Sequence, residues 1–331
     1  MRLPLNLSDF DYFLPSELIA QTAVTPRSTS RLMVLKGDDL EHRRFYQLPE
    51  YLQQGDVIAI NQSRVMKNKL IGRKSTGAAA EMILMQPVDE NTVRCRIKCS
   101  RVRVGNVFEF DDLLAEVVEQ QNDIFIVQFN RPVKEIVDHY LYPNPPYIHR
   151  AVGEEYQTVY ARTPGSLAAP TAGLHFTPHL IRRIKAMGVQ FATVTLHVGF
   201  GTFLPVRDTS ITGHRMEAEY FEITPETAQA IQNANRLFVV GTTTLKALET
   251  SAQETGQIQP GKGWSELFIY PGYRFRMPVK GLVTNFHLPK STLMLLVSAF
   301  YGRERVLAAY AEAVKQRYRF FSLGDATLML K

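Results

Sequence analysis

Two textures of apolar spacing divide this 331-residue chain. In the first, short apolar runs end in Gly, Asn, Ser or Thr and alternate with helical patterns. Arg31–Leu35, Val57–Ile60, Phe191–Val198 and Arg236–Val240 predict strands of this kind, and Val283–Phe286 and the LFIYPG run predict two more. Thr177 is a natural N-cap, Pro178 suits the first helical position and Gly188 ends the pattern, so a helix is predicted from Pro178 to about Met187. Thr224 caps a second helix in TPETAQAIQNAN. STLMLLVSAF is apolar on nearly every side and predicts a core helix, RERVLAAYAEAVKQR is amphipathic, and YRFFSLGDATLML reads as strand, turn and strand around Asp325. From about Gly72 the second texture takes over. AEMILM, TVRCRIKC, NVFEF, LLAEVV and DIFIVQF follow one another closely between turn residues, which predicts a small antiparallel barrel. A helix over Pro132–Leu141 and the PNPPYI segment then lead back, so residues 72–147 are expected as an insertion into a discontinuous α/β domain of residues 1–71 and 148–331.

A chain of this length, 45% hydrophobic, can bury a sizeable core and favours two domains. Two cysteines exclude a disulfide framework: Cys95 and Cys99 would lie roughly 13 Å apart along one strand, and buried thiols in a reducing compartment are expected. Asp9, Asp11 and Glu17 interrupt the first apolar residues, which fits neither a signal nor a transit peptide and suggests the cytoplasm. Leu293–Val297, the longest apolar run, is far short of a bilayer span. The net charge of +6 is concentrated in two windows without an acid. One holds Arg64, Lys67, Lys69, Arg73 and Lys74; the other holds Arg94, Arg96, Lys98, Arg101 and Arg103. In VRCRIKCS the bases alternate with Val93, Cys95, Ile97 and Cys99, predicting a strand with one buried and one uniformly cationic face, suited to phosphate contact.

Candidate chemistry gathers where predicted strands end. Thr171, Gly173 and His175 lead into the positive end of the Pro178 helix, where backbone N–H groups can hold an anion. His197, Gly199, Gly201 and Thr202 follow the next strand, and Asn61, Ser63 and Arg64 follow Val57–Ile60. His214, Glu217 and Glu219 form another polar group, as do Asn285 and His287. Gly241-Thr242-Thr243-Thr244 opens a helix but lacks the Gly-Lys-Ser/Thr ending of a phosphate-cradling loop. His175 and His179 are spaced H-x-x-x-H, yet the helix starts between them and no H-E-x-x-H occurs, so no metal site is expected.

AAPTAGLHFT and VTLHVGFGTFLPV resemble the signature blocks of the S-adenosylmethionine:tRNA ribosyltransferase-isomerase family of queuosine biosynthesis. NQSRV, TGAAAE, PPYIHR, YQTVYA, HRMEAEYFEI, VGTTTLKALE, LFIYPGY, TNFHLPKSTLMLLVSAF and YRFFSLGDATLML resemble its other blocks in order, over nearly the whole chain. The resemblance implies a three-layer α/β/α domain carrying a small β-barrel. It implies transfer and isomerisation of the ribosyl group of S-adenosylmethionine onto 7-aminomethyl-7-deazaguanine at the tRNA wobble position, giving epoxyqueuosine-tRNA, adenine and methionine. S-adenosylmethionine would be consumed as a substrate, and no cofactor or membrane is implied. Within that reaction His175, His197, His214, Glu219 and His287 are the expected acid–base residues, a histidine being favoured as the base. Thr171, Gly173, Thr177, Gly199, Gly201, Thr202, Thr242 and Asn285 would hold substrate, with Phe176 or Phe286 facing the sulfonium. Arg64, Lys67, Arg94, Arg96, Lys98, Arg101 and Arg103 would meet tRNA. The chain departs from the family pattern at Glu217, where a second histidine is usual, at Phe200, and in NQSRV for N-D-T-R-V. Two rival readings remain: a metal-dependent hydrolase acting on RNA, which bound zinc would reveal, and an RNA-binding protein without catalysis.

Overall fold

The computed structural model describes residues 6–139, 141, 153–199 and 211–331. Its strands, in chain order, begin with β1 (Arg31–Lys36), β2 (Asp39–Arg44), β3 (Asp56–Asn61) and β4 (Ser63–Val65). Six barrel strands follow: β5 (Lys69–Lys74), β6 (Ala79–Pro87), β7 (Thr92–Lys98), β8 (Val107–Phe110), β9 (Leu113–Gln121) and β10 (Ile124–Phe129). The rest are β11 (Thr163–Ser166), β12 (Gln190–Leu196), β13 (Glu219–Ile223), β14 (Arg236–Val240), β15 (Gly261–Ser265), β16 (Val279–Asn285) and β17 (Ala326–Leu330). The helices are α1 (Val133–His139), α2 (Pro178–Ala186), α3 (Pro225–Gln232), α4 (Thr242–Ser251), α5 (Thr292–Tyr301) and α6 (Arg303–Lys315).

In the larger unit, residues 1–64 and 157–331, nine strands form one sheet in the order β15-β13-β12-β3-β14-β16-β17-β1-β2. Strand β3 is buried along its whole length because alternate residues serve two cores. Val57 and Ala59 pack with α3, α4, α5 and α6; Ile58 and Ile60 pack on the other face with Leu180 and Ile184 of α2. The result is the expected α/β/α sandwich. Strands β12, β3, β14 and β16 are parallel, so their carboxyl ends lie on one edge. Strand β17 runs against β16 and with β1, pairing Asn285 with Ala326 and Ala326 with Leu32. The amino ends of β17 and β1 therefore join the same edge.

Thr177 and Thr224 cap α2 and α3 through their hydroxyls, and Ser291 caps α5. Two local expectations fail. LFIYPG forms no strand: the ladder stops at Ser265, where β15 ends, and Leu267–Ile269 continue as irregular chain along a hollow. Only the second half of YRFFSLGDATLML is a strand, because Phe320 makes an isolated bridge to Ile19 and Phe321 turns through a φ of 72°.

The smaller unit, residues 65–156, holds the closed antiparallel barrel β10-β7-β6-β5-β8-β9. It begins earlier than the expected boundary at residue 72, because β5 is the barrel's first strand although it is rich in Lys and Arg. Leu70, Met82, Val93, Cys95, Phe108, Val117 and Val127 fill its interior. Burial pushes the Cys95 thiol up to about 12, which makes it inert, while Cys99 is only half-buried.

Candidate active site

Two adjoining hollows open at the carboxyl edge of the larger sheet and share Thr242, Thr243 and Leu293. The more polar one is bordered by Pro170, Thr171, Thr284, Asn285, His287 and Ser322. The more apolar one is bordered by Met216, Leu267, Phe268, Ile269 and Leu296, with Glu219 and Lys246 at its wall. Both lie where α4 and α5 begin, directly after β14 and just beyond β16, so two positive helix ends converge there. Gly241, at φ 91°, supplies the turn from β14 into α4 and leaves the first helical N–H groups without a side-chain cap.

The strongest charges in the hollows form one ion pair. Lys246 Nζ lies 3.0 Å from Glu219 Oε2, with side chains only 6% and 2% exposed. The Gly199 N–H donates to Glu219 Oε1 at 2.9 Å, so both carboxylate oxygens are bonded. Burying two charges is costly, and a pair at the wall of a cavity rather than in a packed core points to chemistry more than to stability. Three polar groups wait nearby. Asn285 Nδ2 donates to the Phe321 carbonyl at 3.0 Å, which fixes the amide and leaves its buried Oδ1 without a partner among the described residues. The Thr292 hydroxyl, at the first turn of α5, is buried and has no partner among the described residues. Thr243 Oγ1 accepts a long bond from Asn61 Nδ2, 3.4 Å. Asn61 itself is a bracket, since its amide also bonds the Leu196 N–H and carbonyl and holds β3 to β12 at their ends.

Of the expected acid–base residues, Glu219 and His287 border the hollows, whereas His175, His197 and His214 are not among the described residues lining them. His287 Nε2 sits 3.0 Å from Thr284 Oγ1, and burial pushes its imidazole down to about 3. His175 packs under the same edge. Its Nδ1 meets Ser30 Oγ at 2.7 Å, its ring stacks on Phe45 and its Nε2 faces the Asn285 amide nitrogen at 3.4 Å, so Nδ1 carries the proton. Burial, aided by Arg27 and Arg319, holds its imidazole down near 3 as well. His197 is elsewhere. It follows β12, three strand spacings or about 14 Å from β16. Its side chain emerges on the face opposite Leu196 and Val198, where Nδ1 meets Ser63 Oγ at 2.7 Å and burial again lowers its pKa. Topology thus brings both loops to one edge, as expected, but not both imidazoles to one pocket. His214 packs edge-on against Phe268, with a buried Nε2 that has no partner among the described residues.

Among the expected substrate-binding residues, Thr171, Thr242 and Asn285 line the hollows. Gly199 reaches the site through its N–H. Phe176 does not: fully buried, it packs edge-on to Phe45 and Phe191 in the core beneath α2. Phe286 borders the polar hollow, but its ring belongs to a cluster with Tyr310, Tyr318 and Phe320. Gly173 is needed for packing, since a Cβ there would lie 2.0 Å from the Tyr160 hydroxyl. Thr177 serves α2 as a cap. Gly201 and Thr202 lie outside the described residues, as does Phe200. Sequence reasoning missed Lys246, whereas Thr292, at the start of the core helix beyond the Val283–Phe286 strand, was expected to face that strand end. Lys246 stands four residues after Thr242, on the same helix face, and a lysine between Leu245 and Ala247 was the available signal.

The basic windows are less uniform than their sequence suggests, because a neighbouring strand and nearby turns supply acids. Lys69 is buried against Glu81 at 3.1 Å, Arg96 pairs with Asp123 at 3.1 Å and Lys98 lies 3.9 Å from Glu81. Lys67 lies 3.8 Å from Glu154. Arg94, Arg101 and Arg103 are exposed, with Lys74 Nζ donating to the Arg101 carbonyl at 3.2 Å. Arg64 follows Ser63 in β4, which pairs with β11 as a two-stranded ribbon. Among the described residues no group of three His, Cys, Asp or Glu side chains is placed to hold a metal ion, and no helix is long and apolar enough to cross a membrane.

Residues 7–329 match the model of the queuosine biosynthesis protein family. S-adenosylmethionine:tRNA ribosyltransferase-isomerases of Pelotomaculum thermopropionicum and Symbiobacterium thermophilum are 47% and 48% identical, each over 98% of this chain and 100% of the relative. The crystal structure of an S-adenosylmethionine tRNA ribosyltransferase from Thermotoga maritima superposes with a TM-score of 0.56 at 36% identity, covering 98% of this chain and all of that one. On the strength of these matches, the chain belongs to the queuosine biosynthesis protein family.

Proposed function

We propose that this protein is an S-adenosylmethionine:tRNA ribosyltransferase-isomerase that moves the ribosyl group of S-adenosylmethionine onto 7-aminomethyl-7-deazaguanine at the tRNA wobble position. Family membership supports the enzyme class, and the buried Glu219–Lys246 pair in the wall of the strand-end hollow is the observation that carries the site. S-adenosylmethionine is then a consumed substrate and not a resident cofactor. The apolar hollow beside Phe268 suits a flat adenine, and the polar hollow, with the free Asn285 Oδ1 and the α4 amino end, suits the methionine ammonium and carboxylate. The hydrolase rival finds no support in these relatives.

The sulfonium acidifies the neighbouring ribosyl 5′ carbon. A base takes that proton, adenine leaves with a proton of its own, the aminomethyl nitrogen bonds to the retained sugar and loses a proton, and methionine departs with the electron pair of the carbon–sulfur bond as the epoxide closes. His175 and His287, held near 3 by burial, are poor proton acceptors because each would become a buried cation. Glu219 is better placed: protonation removes a charge, and Lys246 can give up its proton to the departing adenine. The pair begins as carboxylate and ammonium and ends as acid and amine, so its net charge never changes inside the cavity. Incubating the protein with S-adenosylmethionine and tRNA bearing the aminomethyl base should release free adenine, and Glu219→Gln should abolish it. No adenine from the wild-type protein would refute the proposal.

A further inference from the structure

One face of the edge of the large sheet carries a row of aromatic rings that the reaction at the hollow does not use. Tyr220 of β13 pairs directly with Trp264 of β15, and the His197 N–H donates to the Tyr220 carbonyl at 2.9 Å, so the three residues sit side by side on adjacent strands. The His197 and Tyr220 rings stack at 5.4 Å with 22° between their planes; Tyr220 and Trp264 meet edge to face at 5.8 Å. Trp264 is 69% exposed and is the chain's single tryptophan. Glu219, Phe221 and Ile223 of the same strand turn to the other face, so this row owes nothing to the core. The row is also held rigid at its inner end. Ser63 fixes His197 Nδ1, and Gly165, at φ 146°, lets the backbone meet the ring where a Cβ would lie 2.5 Å from Nε2.

An exposed tryptophan on a fixed ladder of rings is a surface waiting for a flat partner. We infer that His197, Tyr220 and Trp264 form a stacking platform for unpaired nucleobases of the tRNA substrate. This rests on the proposed function, which supplies a tRNA whose reacting base must be unpaired and turned outward to be modified. Placement agrees with it: Tyr220 follows Glu219 directly, so a base on the platform lies at the reacting end of the sheet. On this face Lys262 stands across from Glu222, whose carboxylate accepts from the Tyr220 hydroxyl at 3.2 Å and fixes that ring. Stacking on aromatic side chains tolerates any base and complements phosphate contacts made elsewhere.

The single tryptophan makes the test direct. Adding an anticodon stem–loop RNA to the full chain should quench tryptophan fluorescence, and a fully paired RNA hairpin of the same length should quench it much less. Trp264→Ala should weaken tRNA binding about 5- to 100-fold, and Trp264→Phe, which keeps a π face, should recover most of the loss. Because the side chain is exposed, the melting temperature of both variants should stay near that of the wild type. Unaltered fluorescence at saturating tRNA, or equal tRNA affinity in Trp264→Ala, overturns the platform; if wild-type protein still releases adenine, the enzymatic proposal stands without it. A change in sedimentation of Trp264→Ala in the absence of RNA would instead mark the face as a contact between copies of the chain and would also overturn it. Absence of adenine release by the wild type overturns both.

Discussion

Replacing Lys246 with methionine isolates the role of the buried ion pair, because methionine fills most of the same volume and removes only the charge and the proton. Glu219 would keep the Gly199 N–H but lose its counter-ion, at a site where its side chain is 2% exposed. Removing one member of a buried pair costs about 3–5 kcal/mol. In a unit of this size each kcal/mol lowers the melting temperature by about 2–4 °C, so a fall of roughly 6–20 °C is expected. The double variant Glu219→Leu/Lys246→Met should recover most of that stability, since well-packed apolar replacements of buried pairs are commonly neutral or stabilising. Adenine release should not recover in the double variant, and should remain at least about a hundredfold below wild type, the size expected for loss of acid–base catalysis. Lys246→Arg separates charge from proton transfer: the guanidinium can neutralise Glu219 but does not deprotonate, so stability should hold better than in Lys246→Met while adenine release stays low. Melting curves and single-turnover adenine assays on the four proteins decide the matter. A double variant that releases adenine at the wild-type rate, or a Lys246→Met protein as stable as wild type, would refute the reasoning.

Acid should destabilise the protein through His175 and His287: their folded pKa values near 3 lie below the unfolded value of about 6.5, so the unfolded chain binds the extra protons and stability falls as pH drops from 6.5 toward 3, by about 1.4 kcal/mol per pH unit for each imidazole. Urea titrations across that range test it, and His287→Gln should lower the slope by one proton. Thr177→Ala should cost about 1 kcal/mol by uncapping α2, yet leave S-adenosylmethionine affinity intact, because Thr177 caps the helix away from the hollows; calorimetric titration would expose a contrary result. Converting exposed Arg94, Arg101 and Arg103 to glutamine should weaken tRNA binding and flatten its salt dependence more than converting Arg96 and Lys98, whose acidic neighbours already compete for them. Equal salt slopes in the two sets would show that barrel charge pairing does not govern the contact.

Much of the fold was legible because periodicity alone specifies it. Continuous apolar runs such as Val57–Ile60 require two covered faces, hence helices on both sides, and the alternation in TVRCRIK requires a strand with one wet face. Short-range chemistry was legible too, as the caps at Thr177, Thr224 and Ser291 show. Cross-strand relations were not. Nothing local to Arg96 reveals that Asp123 lies beside it, nothing in LFIYPG tells that the ladder ends at Ser265, and the polar strand DLEHRR becomes β2 only because β1 offers it an edge.

The histidines show where the limit lies in the site. Loop glycines and histidines at strand ends drew attention to the correct edge of the sheet, since carboxyl ends of parallel strands collect ligands whatever the chemistry. Choosing among them needs burial and sheet order. His175 and His197 look alike in sequence, each beside glycine near the same helix–strand unit, yet β3 and β14 stand between the strands they serve. Burial then lowers the basicity of both. A carboxylate facing a lysine escapes that penalty, because each charge makes the other tolerable, and in exchanging protons with a substrate the pair leaves no uncompensated charge behind. A cavity that must hold a sulfonium, lose a proton from carbon and release a purine is served by such a pair better than by a desolvated imidazole; the lysine itself was visible in the sequence between Leu245 and Ala247, but its partner was not, because nothing local to helix α4 shows that Glu219 meets it.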